Sequence, residues 1–259
     1  MDPNARTVLT AAGLPMPRHW ELGSLDGLEA LPGLVYVRAR SPERSPGLMS
    51  RDDLARLLAS EPRKTFSVAE YVPSIAGATY LHCGDWALIE VVVGHLSGLL
   101  GEGLLRWRYL LSPGGTFLKG QEFEQTRWKE ATGEAGSEPK NMQQFEPRRA
   151  ALSIHERVAK GSVSPRTLME IMITVDRILW VDAKNYSWGV DVEALFSERR
   201  ALVYGATELP IFEPVSWTVG ALPAHTECVA YNLDHRALSS HFVTYSLAAG
   251  LGGLWNHGW

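Results

Sequence analysis

The sequence predicts an α+β fold in which antiparallel sheets carry flanking helices. Three observations lead there. Between positions 66 and 111, four short apolar or alternating runs follow one another, each bounded by glycine or proline, as short strands joined by turns require. Segments with helical caps and apolar residues at three- and four-residue spacing stand at 5–13, 51–59 and 164–179. The stretches between them are polar and rich in turn residues.

With 259 residues the chain can bury a core of its own without staples. Its 45% apolar and 21% charged residues exclude the disordered class. A formal net charge of -4 gives no basic footprint for nucleic acid or anionic lipid. The two cysteines, Cys83 and Cys228, have no CxxC partner, which excludes a disulfide framework and a cysteine-rich zinc site. They are expected to be reduced thiols in a cytoplasmic protein. Met1 to Arg18 lacks an apolar signal core, and no apolar run reaches the ~18 residues of a membrane span. A soluble chain with no membrane or nucleic-acid partner is the expectation.

Taken in order, Ala5 to Gly13 predicts a helix closed by Gly13, and Leu14-Pro15-Met16-Pro17 must then run extended because of its prolines. Ser24 to Leu31 predicts a second helix, stopped by Pro32-Gly33. Leu34 to Val37 reads as a strand, Arg38 to Gly47 as an arginine-rich loop, and Arg51 to Ala59 as a helix capped by Ser50 with Asp52 and Asp53 in its first turn. Phe66 to Val72, Ala78 to His82, Trp86 to Val93 and Leu105 to Leu111 are the four strand runs, with Gly84-Asp85 as a hairpin turn. Ala131 to Pro147 is a polar loop. The clearest helix is 164–179, with Ser164 as cap, Pro165 in the first turn and Leu168, Ile171, Met172, Val175, Ile178 and Leu179 on one face. Gly189 to Phe196 and Ala201 to Tyr204 form a strand–turn–strand, and the tail from Pro210 is aromatic and His-rich.

Three constellations could carry chemistry. Arg38, Arg40 and Arg44 leave a strand together; guanidinium forks match phosphate oxygens, although a solvated basic loop has the same composition. Glu70 and Glu90 stand on neighbouring strand runs beside Gly77, Gly94, Gly98 and Gly103, where acids could hold polar groups of a ligand that glycines let approach. Asp191 and Glu193 share a strand face by period-two alternation, and paired carboxylates suit Mg²⁺ when a nucleotide supplies phosphate oxygens. A solvated strand face would look the same.

In this order, the features resemble the nucleotide-binding N-terminal domain of phosphoenolpyruvate synthase and pyruvate phosphate dikinase, within the ATP-grasp superfamily. Ala11-Ala12-Gly13-Leu14-Pro15-Met16-Pro17 is similar to the family's opening "aaGlPvP", and Tyr36-Val37-Arg38-Ala39-Arg40-Ser41 to its "vVRSSa" strand. Phe66 to Val72 with Gly77-Ala78 resembles the hairpin that forms the family's adenine wall. Ala87-Leu88-Ile89-Glu90 with Gly94 to Gly103 resembles "viieas.GlGe.lv.G", and Gly189 to Glu193 the segment holding a metal-binding glutamate.

The resemblance covers about residues 5 to 210. It implies an ATP-grasp-like fold and an ATP- and Mg²⁺-dependent phosphotransferase or ligase acting on a small-molecule acceptor. Arg38 and Arg40 would hold phosphates, Glu70 and Glu90 base and ribose, and Asp191 and Glu193 the metal, with Arg38 and Glu193 as the catalytic pair. It divides the chain into an N-terminal α/β subdomain (1–65), a nucleotide-binding region (66–210) and an extension packed on it (211–259). Gly205 and Thr207 stand where the family has a glutamine and an arginine, and no lysine stands between Met1 and Ala12. These departures keep a second expectation in view, a catalytically degenerate ATP-grasp-like binding or interaction module that holds a partner or small ligand without turnover. Nine tryptophans, two in the last five residues, also suit a homo-oligomer interface.

Overall fold

The computed structural model describes residues 3–39, 47–82, 85–102, 104–123, 145–161, 163–185, 189–190, 201–205 and 227–231. Its strands form three sheets in which every pairing is antiparallel, flanked by helices, so the α+β class stands.

The first sheet has the order β1 (His19–Leu22), β4 (Phe66–Glu70), β2 (Leu34–Ala39), β3 (Gly47–Ser50). Val35 and Val37 of β2 and Phe66 and Val68 of β4 bury themselves against Leu54 and Leu58 of helix α2 (Arg51–Ser60). That helix starts where the sequence expects it. The Ser50 hydroxyl accepts the Asp53 N–H at 3.0 Å and donates to the Asp53 carboxylate at 2.6 Å, relieving an orphan donor of the first turn. The helix expected at 24–31 shrinks to one 3₁₀ turn, Leu28–Ala30. Ser24 accepts from the Asp26 N–H at 3.2 Å and Gly27 adopts φ +84°, so the backbone is committed to a tight turn before a helix can begin. The arginine-rich loop is shorter than expected, because β2 runs to Ala39 and pairs Val37 with Gly47.

The second sheet has six strands in the order β10 (Ile178–Asn185), β9 (Thr167–Ile173), β5 (Ala76–His82), β6 (Ala87–Val93), β7 (Trp107–Leu111), β8 (Phe117–Glu122). All seven residues of β6 are buried, as expected for a central strand covered on both faces. One face packs Tyr80, Ile89, Ile171 and Trp180 against Ala5 and Leu9 of α1 (Pro3–Ala11) and Ile154 and Val158 of α4 (Pro147–Lys160). The other packs Val92, Met172 and Leu179 against Leu96, Leu99 and Leu100 of α3 (Leu96–Glu102). A third sheet joins β11 (Gly189–Val190), β12 (Ala201–Gly205) and β13 (Glu227–Tyr231), with Val190 opposite Val203.

Two sequence expectations are corrected here. Residues 164–179 are not a helix but most of the β9–β10 hairpin. Thr174 closes its turn by accepting from the Arg177 N–H at 2.9 Å, and Val175, expected on the buried face, is 63% exposed at the tip. A short apolar run satisfies both helical and strand spacing, and here sheet pairing decides between them. Phe66 to Val72 and Ala78 to His82 do not form one hairpin either. β4 lies between β1 and β2, whereas β5 lies between β9 and β6, so the chain changes sheets at 71–75, across Pro73. The Gly84 half of the expected Gly84-Asp85 turn lies outside the described residues, but the antiparallel pair it was to connect is present, with His82 opposite Ala87.

His155 of α4 ties the helix to the sheet. Its Nε2 lies 3.1 Å from the Pro113 carbonyl and its Nδ1 3.0 Å from the Tyr80 hydroxyl. A carbonyl can only accept, so Nε2 carries a proton, and in the neutral ring Tyr80 donates to Nδ1. Nearby, burial and then the adjacent His155 hold the His82 imidazole below its usual 6.5.

Two outcomes follow. The native state binds fewer protons at His82 than the unfolded chain does. That contribution is present above pH 6.5 and lost as pH falls below it, so urea midpoints should drop between pH 7.5 and 5.5, and less steeply in His82→Gln. Gly77 is needed for contact. A Cβ there would lie 2.5 Å from the Leu96 Cα, so Gly77→Ala should push α3 off β5 and cost about 1–3 kcal/mol in chemical unfolding.

Candidate functional site

Where the first two sheets face one another they leave a cleft of about 270 Å³. Strand alternation aims side chains into it. Val35 and Val37 of β2 point to the α2 core, so Tyr36 and Arg38 point the other way, into the cleft. Glu70, at the end of β4, borders the same space, with Glu170 and Met172 of β9 and Val181 of β10 opposite. Val72, Leu96 and Leu100 give it an apolar wall. Tyr36 stacks on His95 with ring centroids 5.9 Å apart and planes 6° off parallel, which joins β2 to the segment entering α3.

The cleft side of the six-stranded sheet carries an unbroken polar rung. Reading across the strands, Asp182 lies opposite Glu170, Glu170 opposite Thr79, Thr79 opposite Glu90, Glu90 opposite Arg108 and Arg108 opposite Gln121. Its middle and its cleft end behave differently. In the middle, Arg108 and Glu90 are 2% and 1% exposed, and the guanidinium sends Nε and one Nη to the same carboxylate oxygen at 3.1 and 2.9 Å. At the cleft end, Lys184 donates to Glu170 at 2.6 Å, and Arg38 reaches across from the first sheet to within 3.7 Å of Asp182. Burial, and then the charge of Glu170, push the Asp182 carboxyl above its usual range, while Arg38 and Lys184 pull it back.

A β-bulge creates this arrangement. Trp180 pairs with Ile171, and Asp182, rather than Val181, pairs with Glu170. Without the extra residue, Asp182 would fall on the α1–α4 face; with it, Asp182 stands beside Glu170 on the cleft face.

The structure thus brings Arg38 and Glu70 to one cavity. Glu70 is held by Arg18, whose backbone N–H and Nε lie 3.2 and 3.0 Å from the same oxygen. Burial alone would raise the Glu70 carboxyl, but these hydrogen bonds keep it below the usual carboxylate range. Glu90, expected to face base or ribose, instead has Arg108 across its carboxylate and is not among the residues that border the cleft. Arg40, Asp191 and Glu193 lie outside the described residues. Sequence reasoning missed Glu170, Asp182, Lys184 and His95. The first signal was a single acid inside the apolar run Thr167–Ile173; the second was alternation through Val181-Asp182-Ala183-Lys184.

Among the described residues, no group of three or more His, Cys, Asp or Glu side chains could hold a metal. Among the described residues, the adjacent carboxylates Glu170 and Asp182 face two resident cations, Lys184 and Arg38, so as they stand they do not fit Mg²⁺. Among the described residues, no helix is long and apolar enough to cross a membrane.

No protein-family model and no curated protein matches the chain. Several solved structures resemble it. N5-carboxyaminoimidazole synthase from Aspergillus clavatus, in complex with ADP and 5-aminoimidazole ribonucleotide, is 13% identical with a TM-score of 0.37, the match covering 69% of this chain and 42% of that one. A RimK domain ATP-grasp protein from Sphaerobacter thermophilus is 12% identical with a TM-score of 0.38, covering 70% and 55%. D-alanine–D-alanine ligase from Bacillus anthracis, complexed with ATP, is 13% identical with a TM-score of 0.33, covering 70% and 51%. The matched region spans about half the length of these proteins.

The buried pair yields a stability prediction. Glu90→Gln leaves the Arg108 guanidinium without its counter-charge in the sheet interior and should cost about 3–5 kcal/mol by urea denaturation. Glu90→Leu combined with Arg108→Met should recover most of that loss. A double variant as unstable as Glu90→Gln would show that the pair does more than neutralise itself.

Proposed function

We propose that the chain binds an adenine nucleotide in the cleft between its first two sheets, with the activity class of an ATP- and Mg²⁺-dependent phosphotransferase or ligase. One observation carries this reading: a cation with unused donors and an apolar wall share a single cavity. Among the described residues Arg38 donates no side-chain hydrogen bond, and its one ion-pair partner lies 3.7 Å away. Its donor fork is therefore open to phosphate oxygens. Val72, Leu96, Leu100 and Met172 offer a face for the base, and Glu70, held by Arg18 at the cavity's border, would accept from ribose hydroxyls. The resemblance of Tyr36-Val37-Arg38 to the phosphate-contacting strand of the phosphoenolpyruvate synthase family supports the same assignment. On that resemblance alone, Mg²⁺ is assigned to Asp191 and Glu193. Catalysis would then consist of positioning and charge neutralisation around a transferred phosphoryl group.

A second reading, binding without turnover, has its own support. The Glu170 and Asp182 carboxylates already face Lys184 and Arg38, and Gly205 and Thr207 lack the side chains of the family's metal- and phosphate-side residues.

A nucleotide thermal-shift series tests the first reading and then separates the two. ATP or ADP at about 100 times its dissociation constant adds ~2.7 kcal/mol of stability, or roughly 5 °C or more in Tm. Arg38→Ala should weaken ATP more than ADP and leave adenosine nearly unchanged, because only phosphate contacts are lost. Turnover predicts that Mg²⁺ strengthens ATP binding and that Glu193→Gln abolishes the gain. The module without turnover predicts the same affinity with and without Mg²⁺ in both proteins. If no nucleotide shifts the melting of the wild-type protein, both readings fail.

A further inference from the structure

We propose that Asp182 is an internal competitor for Arg38 that sets how much negative charge a ligand must bring to the cleft. The inference rests on the nucleotide reading above and deepens it. The two carboxylates at the cleft end of the rung are not equivalent. Lys184 claims Glu170 through a direct 2.6 Å hydrogen bond, which leaves Asp182 to Arg38. That second pair spans the cleft, one partner on β10 and the other on β2.

The contact is built to be given up. At 3.7 Å it is an ion pair without a hydrogen bond, and the Arg38 side chain is 45% exposed whereas Asp182 is 13% exposed. A phosphate oxygen making direct, charge-assisted hydrogen bonds would displace it. The displaced carboxylate is nevertheless fixed in place. Its Oδ1 accepts the Ala183 N–H at 3.1 Å and the bulge at Val181 anchors its strand position, so Asp182 cannot swing away into solvent. Each phosphate on Arg38 therefore meets a retained anion. A ligand must therefore offer Arg38 direct hydrogen bonds that outweigh both the lost ion pair and the repulsion, which several phosphate oxygens can do, while an uncharged nucleoside meets neither term.

Isothermal titration with ADP and with adenosine, at fixed ionic strength and without divalent cations, tests this. Asp182→Asn, nearly isosteric, should tighten ADP about tenfold, the scale of one charge-assisted contact, and leave adenosine within about twofold. Asp182→Ala should give the same result and serves if the amide disturbs folding; the melting temperature of each variant checks that it is folded. In an Arg38→Ala background, Asp182→Asn should change ADP affinity less than about twofold, since the competition has lost its object. Equal or weaker ADP binding by both Asp182 variants overturns the proposal, as does a full gain in the Arg38→Ala background, while nucleotide binding by the wild-type protein leaves the broader reading standing. Absence of ADP binding by every protein, Asp182→Asn included, overturns both.

Discussion

A charge in the dry middle of a sheet needs a partner close at hand, and the directly facing residue of the neighbouring strand is the nearest one available. The Glu90–Arg108 pair meets that need here, and the architecture of the cleft depends on it. β6 and β7 could pack as wholly apolar strands at that level, yet they carry opposite charges in direct register, 1% and 2% exposed. A one-residue slip of either strand would turn its charged group to the opposite, apolar face and leave the other charge without the partner it now faces. The pair thus fixes the register of the sheet centre. Through Thr79 it also fixes which rung of β9 and β10 continues the polar row to the edge, and it is at that edge that the row becomes accessible.

The second constraint is the change of sheet at 71–75. Because β4 belongs to the first sheet and β5 to the second, the chain between them forms one flank of the cleft, and Val72 joins the apolar cluster that also holds Leu96 and Met172. The Ile75 N–H bonds to the Ile173 carbonyl at 2.9 Å and the Gly94 N–H to the Ile75 carbonyl at 2.8 Å, so the crossing is locked to β9 on one side and to the end of β6 on the other. Two side-chain contacts then reach across between the sheets, the Tyr36–His95 stack and the Arg38–Asp182 pair. Each bridges the cleft through a residue of β2, which places the adaptable contacts where a ligand would enter and leaves the backbone crossing as the fixed one.

What the sequence made legible was local. Ser50 and the acids behind it announce α2, the apolar stretch 87–93 can only be a buried strand, and the alternation in Leu34–Val37 is enough to turn Arg38 away from its own core. Pro147 is a first-turn proline of α4, but its polar approach made it read as the end of a loop. The misreading of 164–179 has the same root: Leu168, Ile171, Met172, Ile178 and Leu179 satisfy helical spacing as well as they satisfy two strands, and the choice is made by the pairing of β9 with β5, some ninety positions earlier in the chain. Sheet membership of β4 and the partner of Glu90 are likewise long-range facts, without a local signal.

The cleft acids were hidden for a stricter reason. With regular alternation, the period-two pattern of β10 assigns Trp180 and Asp182 to one face, and since Trp180 is fully buried in the α1–α4 core, Asp182 would be read as a misplaced core residue. The bulge separates them by one residue, sending the indole to the core and the carboxylate to the cleft. A backbone irregularity is thus what allows one short strand to serve a dry face and a charged face at once. The same irregularity explains why the cleft is balanced as it is. It adds a second carboxylate beside Glu170, which already accepts a 2.6 Å hydrogen bond from Lys184, two residues beyond Asp182 on the same face. The added anion then draws Arg38, the cation that, among the described residues, the first sheet presents to the cavity and the group a phosphate ligand would need.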